Sequence, residues 1–396
     1  MSALDLGATG DGATDDWEAL QHALDTHAVV FLPKGFCKSV VRTSASVVRS
    51  ITAVSVTADR LGRPLLLRKA GGSLVGVGRT LSVLMPPSDP PAGSPFRSEQ
   101  PILDVSADDA TLSHLTIATW DHLPSYAMHW RGSGGTWRQS FFNRMTEATF
   151  PPFSAPGALA KGPPLELRKG TPFGRPLSVI SGGGAFYDFN LDFGCCFGTL
   201  GSPANTEPDI ASSGELLLQR PSYRTVLVNG SSAGVRFYPL NAEQDFGEAH
   251  TEIRYSRNVT MFGTKSENNY VVVWIRDSEG VMLHGHNGNA YAFPNKTGPD
   301  GRRRDGRIAQ YMPSLFRVQR STNVRLANLM DPGRVTAPGE SFPLKAGGNG
   351  TDPRTWNSVL WQDGDELCDP LKTPTACHAT RVLDRPVLWE LGANEL

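Results

Sequence analysis

Asp245, Glu248 and Glu267 share one stretch of the chain with Lys265, His284, His286, Asn287, Asn289 and Tyr291. Two carboxylates about 5 Å apart suit a nucleophile and an acid/base. At about 6.5 to 9.5 Å they suit an acid and a water-activating base. Crowding raises the pKa of one partner and keeps it protonated as the acid. Glu267 is the expected acid and Asp245 the nucleophile or base, with Glu248 in reserve. A second chemistry is open to the same stretch: Lys265, His286 or Tyr291 could remove the proton beside a uronate carboxyl, with Arg254 and Arg276 neutralising that carboxylate. His284, Asn287 and Asn289 offer hydrogen bonds to sugar hydroxyls. Against these readings, "TKSENN" (Thr264 to Asn269) could be a polar surface turn. Arg254 and Arg276 could equally neutralise Asp277 and Glu279. His284 and His286, alternating along an extended stretch, would face the same side, but no third ligand stands at a metal-binding spacing.

These residues come together only if the chain repeats. "EIRYSRNVTMFGTK", from Glu252, and "WIRDSEGVMLHGHN", from Trp274, share Ile-Arg, Ser, Val and Gly at an offset of 22 residues (254 to 276). "VQRSTNVRLANL", from Val318, matches "IRDSEGVMLHGH", from Ile275, at an offset of 43, close to two further turns. Looser copies run from Pro101 to Trp120 and from Thr225 to Leu240. A period near 22 made of short strands and turns predicts a right-handed parallel β-helix, whose rungs stack at about 4.8 Å. The register then stacks Asn289 on Glu267 and Asp245, Asn287 on Lys265 and Glu243, His286 on Thr264, and Arg276 on Arg254.

The ends of such a coil need closing, because open strand edges template aggregation. The opening "GATGDGATDDWEALQHAL" (Gly7 to Leu24) predicts a turn and one short amphipathic helix. Asp15 is its expected N-cap and Glu18 the capping-box partner, with Trp17, Leu20 and Leu24 on one face. "AVVFLPKGF" (Ala28 to Phe36) then reads as a buried strand. The expected fold is thus an all-β right-handed parallel β-helix with an N-terminal capping α-helix, spanning 1–330. A C-terminal cap at 331–396, holding Trp356, Trp361 and Trp389, is expected to pack back on it.

This opening, followed by "VVFLPKGF", resembles the N-terminal signature of the pectin-lyase-like superfamily, in its pectate-lyase-like or glycoside-hydrolase-28-related branch. There a G-x-x-G-D-G-x-x-D-D turn leads into a capping helix and a hydrophobic strand ending in Leu-Pro-x-Gly. The resemblance covers roughly residues 4–330. It implies a carbohydrate-active enzyme working in a long groove, in a superfamily that also holds epimerases, tailspikes and adhesins. Of the motifs carried by its pectin hydrolases, only "GHN" at Gly285 to Asn287 is present, and the epimerases' Asp-Pro-His is absent.

Composition bounds the alternatives. The net charge is −1, from 38 basic and 39 acidic residues, which argues against a nucleic-acid-coating or polybasic membrane-binding protein. No apolar run reaches the roughly 18 residues of a membrane span. Cys37, Cys195, Cys196, Cys368 and Cys377 lack a paired CxxC spacing; Cys368 and Cys377 could close a small disulfide loop in an oxidising compartment. Asn-x-Ser/Thr acceptors at Asn229, Asn258, Asn295 and Asn349 suit a secreted protein or chance. With no leader before the glycine turn, the expectation is a secreted protein whose signal is absent from this chain, or a cytoplasmic one. Pro86 to Pro101, Pro151 to Pro176, Gly201 to Pro221 and Asn295 to Arg307 depart from the rung pattern and read as loops flanking a groove. The expected function is glycoside hydrolysis of a polysaccharide without a cofactor. The alternatives are a polysaccharide lyase, for which calcium is possible, and a non-catalytic glycan binder.

Overall fold

The computed structural model describes residues 1–10, 15–33, 53–55, 64–78, 82–86, 90, 92–120, 125–145, 178–193, 224–242, 249–268, 271–290, 314–329, 357–362, 378–380 and 387–391. They form a right-handed parallel β-helix with a helix at its start. Two compact units are distinguished.

In the first unit each coil has three strands. β1 (Val29–Leu32), β2 (Ala53–Ser55) and β3 (Leu65–Leu67) make one coil, and β4 (Ser73–Gly76), β5 (Val83–Met85) and β6 (Pro101–Val105) the next. β7 (Thr111–Ser113), β8 (Thr116–Trp120) and β9 (Tyr126–Trp130) follow, then β10 (Gly135–Arg138), β11 (Phe141–Met145) and β12 (Ser178–Ile180). Each pairs in parallel with its counterpart one coil on, as Leu74 does with Leu112 and Leu103 with Met128. β13 (Gly184–Phe193) changes the pattern, since its first half pairs with β10 and its second half with β11. Two strands and their corner have merged into one long strand.

Aromatic rings fill this coil. Trp130, Phe186, Phe189 and Phe237 pack with centroids 5.2 to 5.4 Å apart, all fully buried. Trp130 donates its indole N–H to the Gly183 carbonyl. Gly135 is required beside it, because a Cβ there would stand 2.5 Å from Trp130 Cζ2.

The second unit stacks β14 (Arg224–Asn229), β16 (Ala249–Arg254), β18 (Val271–Arg276), β20 (Ser314–Gln319) and β22 (Asn357–Gln362) in parallel. The long strands β17 (Arg257–Asn268), β19 (Glu279–Ala290) and β21 (Thr322–Leu329) form its second sheet, in chain order after β15 (Val235–Ala242), which belongs to the first unit up to Leu240. Ile253 lies opposite Ile275, the expected 22-residue offset, and Ile275 opposite Val318, the expected 43. In the tail, β23 (His378–Thr380) and β24 (Val387–Leu391) pair antiparallel with β22 and β21.

The repeat is built at the turn. Gly230, Tyr255, Asp277 and Arg320 all have positive φ, from 43° to 71°, and each precedes a serine. The Ser256, Ser278 and Ser321 hydroxyls each donate to the carbonyl two residues back, at 2.7 to 2.8 Å. Each also accepts the N–H of the serine one coil earlier, at 3.1 to 3.2 Å. The buried hydroxyls thus satisfy the turn's backbone donors.

At the chain start, α1 (Trp17–Thr26) buries Leu20, Gln21, Ala23 and Leu24. Its cap differs from the expectation by one residue: Asp16 is the N-cap and its side chain makes no capping bond, while the Asp15 carboxylate accepts from the Trp17 N–H at 3.0 Å. The Asp16 carboxylate instead accepts from Thr9 N–H, Thr9 Oγ1 and Gly10 N–H, tying the glycine turn to the helix. Gln21 closes the edge of β3, accepting from Leu66 N–H at 2.8 Å and donating to Leu66 C=O at 3.0 Å. One side-chain amide takes the place of a neighbouring strand. Asp25 and Arg68 form a bidentate pair beside it.

Two stability outcomes follow from these contacts. Gln21→Ala leaves both Leu66 backbone groups unpaired, and Ser278→Ala leaves the Ser256 N–H without its buried acceptor. Each is expected to lower unfolding free energy by about 1–3 kcal/mol. Urea titration followed by circular dichroism reads both; midpoints equal to the unaltered protein would remove these bonds from the account.

Candidate functional site

Gly263 and Gly285 shape the second sheet. Both have positive φ, 82° and 83°, in the middle of β17 and β19. Up to these residues odd-numbered side chains point inward (Val259 and Met261; Val281 and Leu283). Beyond them the even-numbered Thr264 and His286 are buried instead. The glycines reverse the alternation, as a bulge does.

That reversal corrects the expectation for the histidines, which do not share a side. His284 is half-buried on the outer face, stacked on Phe262 at 5.5 Å with ring planes 6° apart, while Phe262 is 42% exposed. His286 is 3% exposed, inside the coil, edge-on to Phe316 at 5.2 Å. Its Nδ1 lies 2.8 Å from Thr264 Oγ1, and its Nε2 is buried without a hydrogen-bond partner. Burial pushes its pKa down to about 4. His286 is therefore a neutral core residue, out of reach of a substrate at the surface.

The register itself is as the period requires. Lys265 pairs with Asn287, Glu267 with Asn289 and Thr264 with His286. Lys265 is half-buried. For Glu267, Asn287 and Asn289 the structure describes the backbone register. Asp245, Glu248 and Tyr291 lie outside the described residues. Phe262, unremarked among the sequence candidates, belongs to this face; subtracting the same 22 residues from His284 would have found it.

Arg254 and Arg276 do stack on adjacent rungs, but they end β16 and β18, before the serine turn. Lys265 lies eight residue steps along β17 from Arg257, about 26 Å of extended chain. The arginines and Lys265 therefore do not converge on one turn. Their close partners are other groups than the expected acids, although the Arg276 charge adds to the lowering of the Asp277 carboxyl. Arg276 Nε lies 2.7 Å from Glu252, whose side chain is 3% exposed, and the guanidinium sits over the Trp274 ring at 5.2 Å. Arg254 donates to Asn229 and lies 4.0 Å from Glu252. Asp277 pairs instead with Arg320, whose two hydrogen bonds hold its carboxyl below the usual range. Glu279 pairs with Arg257 at 3.4 Å. Glu252, which the sequence reading left aside, is the acid that organises this column.

Among the described residues no group of three His, Cys, Asp or Glu side chains is placed to hold a metal ion, and no helix is long and apolar enough to cross a membrane.

His250 is also fully buried, and its pKa falls to about 3. The unfolded chain, with histidines near 6.5, binds more protons than the folded one between pH 6.5 and these values. The stabilisation is complete above pH 6.5 and is lost as pH drops through 4 towards 3. Urea midpoints are expected to be flat from pH 7 to 8 and to fall below 6.5, less steeply in His286→Gln. An identical slope in that variant would show that His286 is not the titrating group.

No protein-family model matches the chain, and no curated protein matches it. Among solved structures, it is similar to the full-length tailspike protein 2 of an Escherichia coli O157:H7 bacteriophage, at 8% identity and a TM-score of 0.46. That match covers 92% of this chain and 41% of the tailspike, so the chain spans about two fifths of that protein. It is also similar to the A-module of an Azotobacter vinelandii mannuronan C-5 epimerase, at 14% identity, 82% and 86% coverage and a TM-score of 0.26. A surface adhesin of Streptococcus pneumoniae aligns at 10% identity over 100% of this chain and 98% of its own, with a TM-score of 0.30.

Proposed function

We propose that this chain, a right-handed parallel β-helix of the pectin-lyase-like kind, is an extracellular glycoside hydrolase that binds and cleaves a polysaccharide across β17 and β19. The observation that carries the reading is the register of those two strands. It sets Lys265 and Glu267 beside Asn287 and Asn289 on the next rung, in line with the exposed Phe262 and the half-buried His284. Side chains repeated at about 4.8 Å along a ladder address the repeating hydroxyls of a sugar polymer. In this reading Glu267 is the acid, Asp245 one period earlier is the nucleophile or base, and Glu248 is its reserve. Lys265, Asn287 and Asn289 hold hydroxyls, and Tyr291, next in sequence after β19, is a further candidate contact.

A lyase needs a cation beside the uronate carboxyl. Arg254 and Arg276 are engaged by Glu252, Asn229 and Trp274 at the far end of the strand, and His286 is buried. Hydrolysis is the reading that requires none of these three. No cofactor enters it.

The test is digestion of a panel of neutral glucans, alginate, pectate and sulfated galactans, following reducing ends and the ultraviolet absorbance of unsaturated uronate together. New reducing ends without that absorbance are expected. Glu267→Gln and Asp245→Asn should each lower the rate by about 10²-fold or more. Absorbance rising in step with reducing ends would replace hydrolysis by elimination. Binding without cleavage would make the protein a glycan binder.

A further inference from the structure

A second cluster, in the first unit, plays no part in the proposed hydrolysis. Asp104 on β6 and His129 on β9 are register partners on adjacent coils. His129 Nε2 lies 3.0 Å from the hydroxyl of Ser181, in the turn after β12. Ile180 pairs with Trp130, so Ser181 comes next to Arg131. Arg131 binds the Asp104 carboxylate through Nε and Nη2, which leaves three of the five guanidinium N–H donors, and its side chain is 48% exposed. Ser181 and His129 are both half-buried, within reach of solvent.

We propose that Ser181 and His129 are a nucleophile and general base that hydrolyse carboxylic esters, with Arg131 supplying the positive charge for the oxyanion. A hydroxyl within hydrogen-bond reach of an imidazole is the arrangement that activates serine. Burial lowers the His129 pKa, more than Asp104 raises it, so the ring is neutral at pH 7 and its nitrogen can take a proton. Tyr126, its ring 6.4 Å from His129, is pushed up to about 12 by burial and stays a neutral phenol.

In the first step Ser181 Oγ bonds to the ester carbonyl carbon and its proton passes to His129 Nε2. The carbon–alkoxide bond breaks, and the departing oxygen takes that proton, leaving an acyl-serine and an alcohol. Water then attacks the acyl carbon and gives a proton to His129. Ser181 Oγ leaves, recovers the proton, and a carboxylic acid is released. The backbone N–H groups of Gly182, Gly183 and Gly184 are already bonded to Trp130, Gly132 and Gly234 carbonyls. The oxyanion therefore depends on Arg131, and turnover is expected to be slow.

The experiment uses a fluorophosphonate, which labels activated serines, on the full chain, with peptide mass mapping. One adduct on Ser181 is expected, absent in Ser181→Ala and formed about 10²-fold more slowly in His129→Gln. The labelling rate should rise with pH through an imidazole midpoint below 6.5, a profile that a purely structural hydrogen bond would not give. Circular dichroism confirms that both variants are folded. No adduct on the unaltered protein, or equal labelling of Ser181→Ala, would overturn the proposal. Polysaccharide cleavage is read separately: Ser181→Ala should retain it, and Glu267→Gln should retain the labelling.

Discussion

The second unit depends on one repeated contact, the buried serine after each left-handed turn residue. A parallel coil must change direction between sheets without leaving the turn's N–H groups unpaired in its interior. Ser256, Ser278 and Ser321 do this by accepting from the coil before and donating to their own strand. Because each hydroxyl spans two coils, it also fixes which residue faces which. The pairing of Ile253 with Ile275 and of Lys265 with Asn287 is the downstream expression of that register.

The first unit solves a different problem. Its three-strand coils turn sharply, and backbone passes so close to backbone that glycine is needed: a Cβ on Gly132 would stand 1.8 Å from the Ala107 carbonyl oxygen. Where β13 fuses two strands, Phe186 and Phe189 meet each other and the rings of Trp130 and Trp137. At the start of the chain, Met1 and Ala3 bond to both sides of Phe31, while Gln21 occupies Leu66. β1 and β3 of the opening coil therefore each meet hydrogen-bonding partners from the N-terminal segment.

The period was legible because turn residues repeat: Arg-Tyr-Ser, Arg-Asp-Ser and Gln-Arg-Ser mark the same corner three times. The column of Glu267 and Asn289 followed by counting. The facing of His286 did not follow, because simple alternation gives no sign that Gly263 and Gly285 adopt positive φ and invert it. The stacking of Arg254 on Arg276 also follows from the period. Counting along one column gives neighbours across coils but not distance along a strand, so the period alone does not show that a corner and most of β17 lie between Arg254 and Lys265. Nor does the period reveal how the two neighbouring carboxylates divide their work: Asp15 accepts from the Trp17 N–H at the helix start, while Asp16 reaches back to the glycine turn.

The serine corner also bears on how such a chain can change length through inheritance. Ser256 and Ser278 make the same contacts, and either could receive the donor now served by the other. A genetic duplication or excision bounded by two such corners would return every following strand to a matching neighbour. An excision that cut into a strand would break the phase of the sheets. The corner thus acts as a join at which whole turns can be gained or lost, while the variable stretches between turns diverge without disturbing the strands on either side.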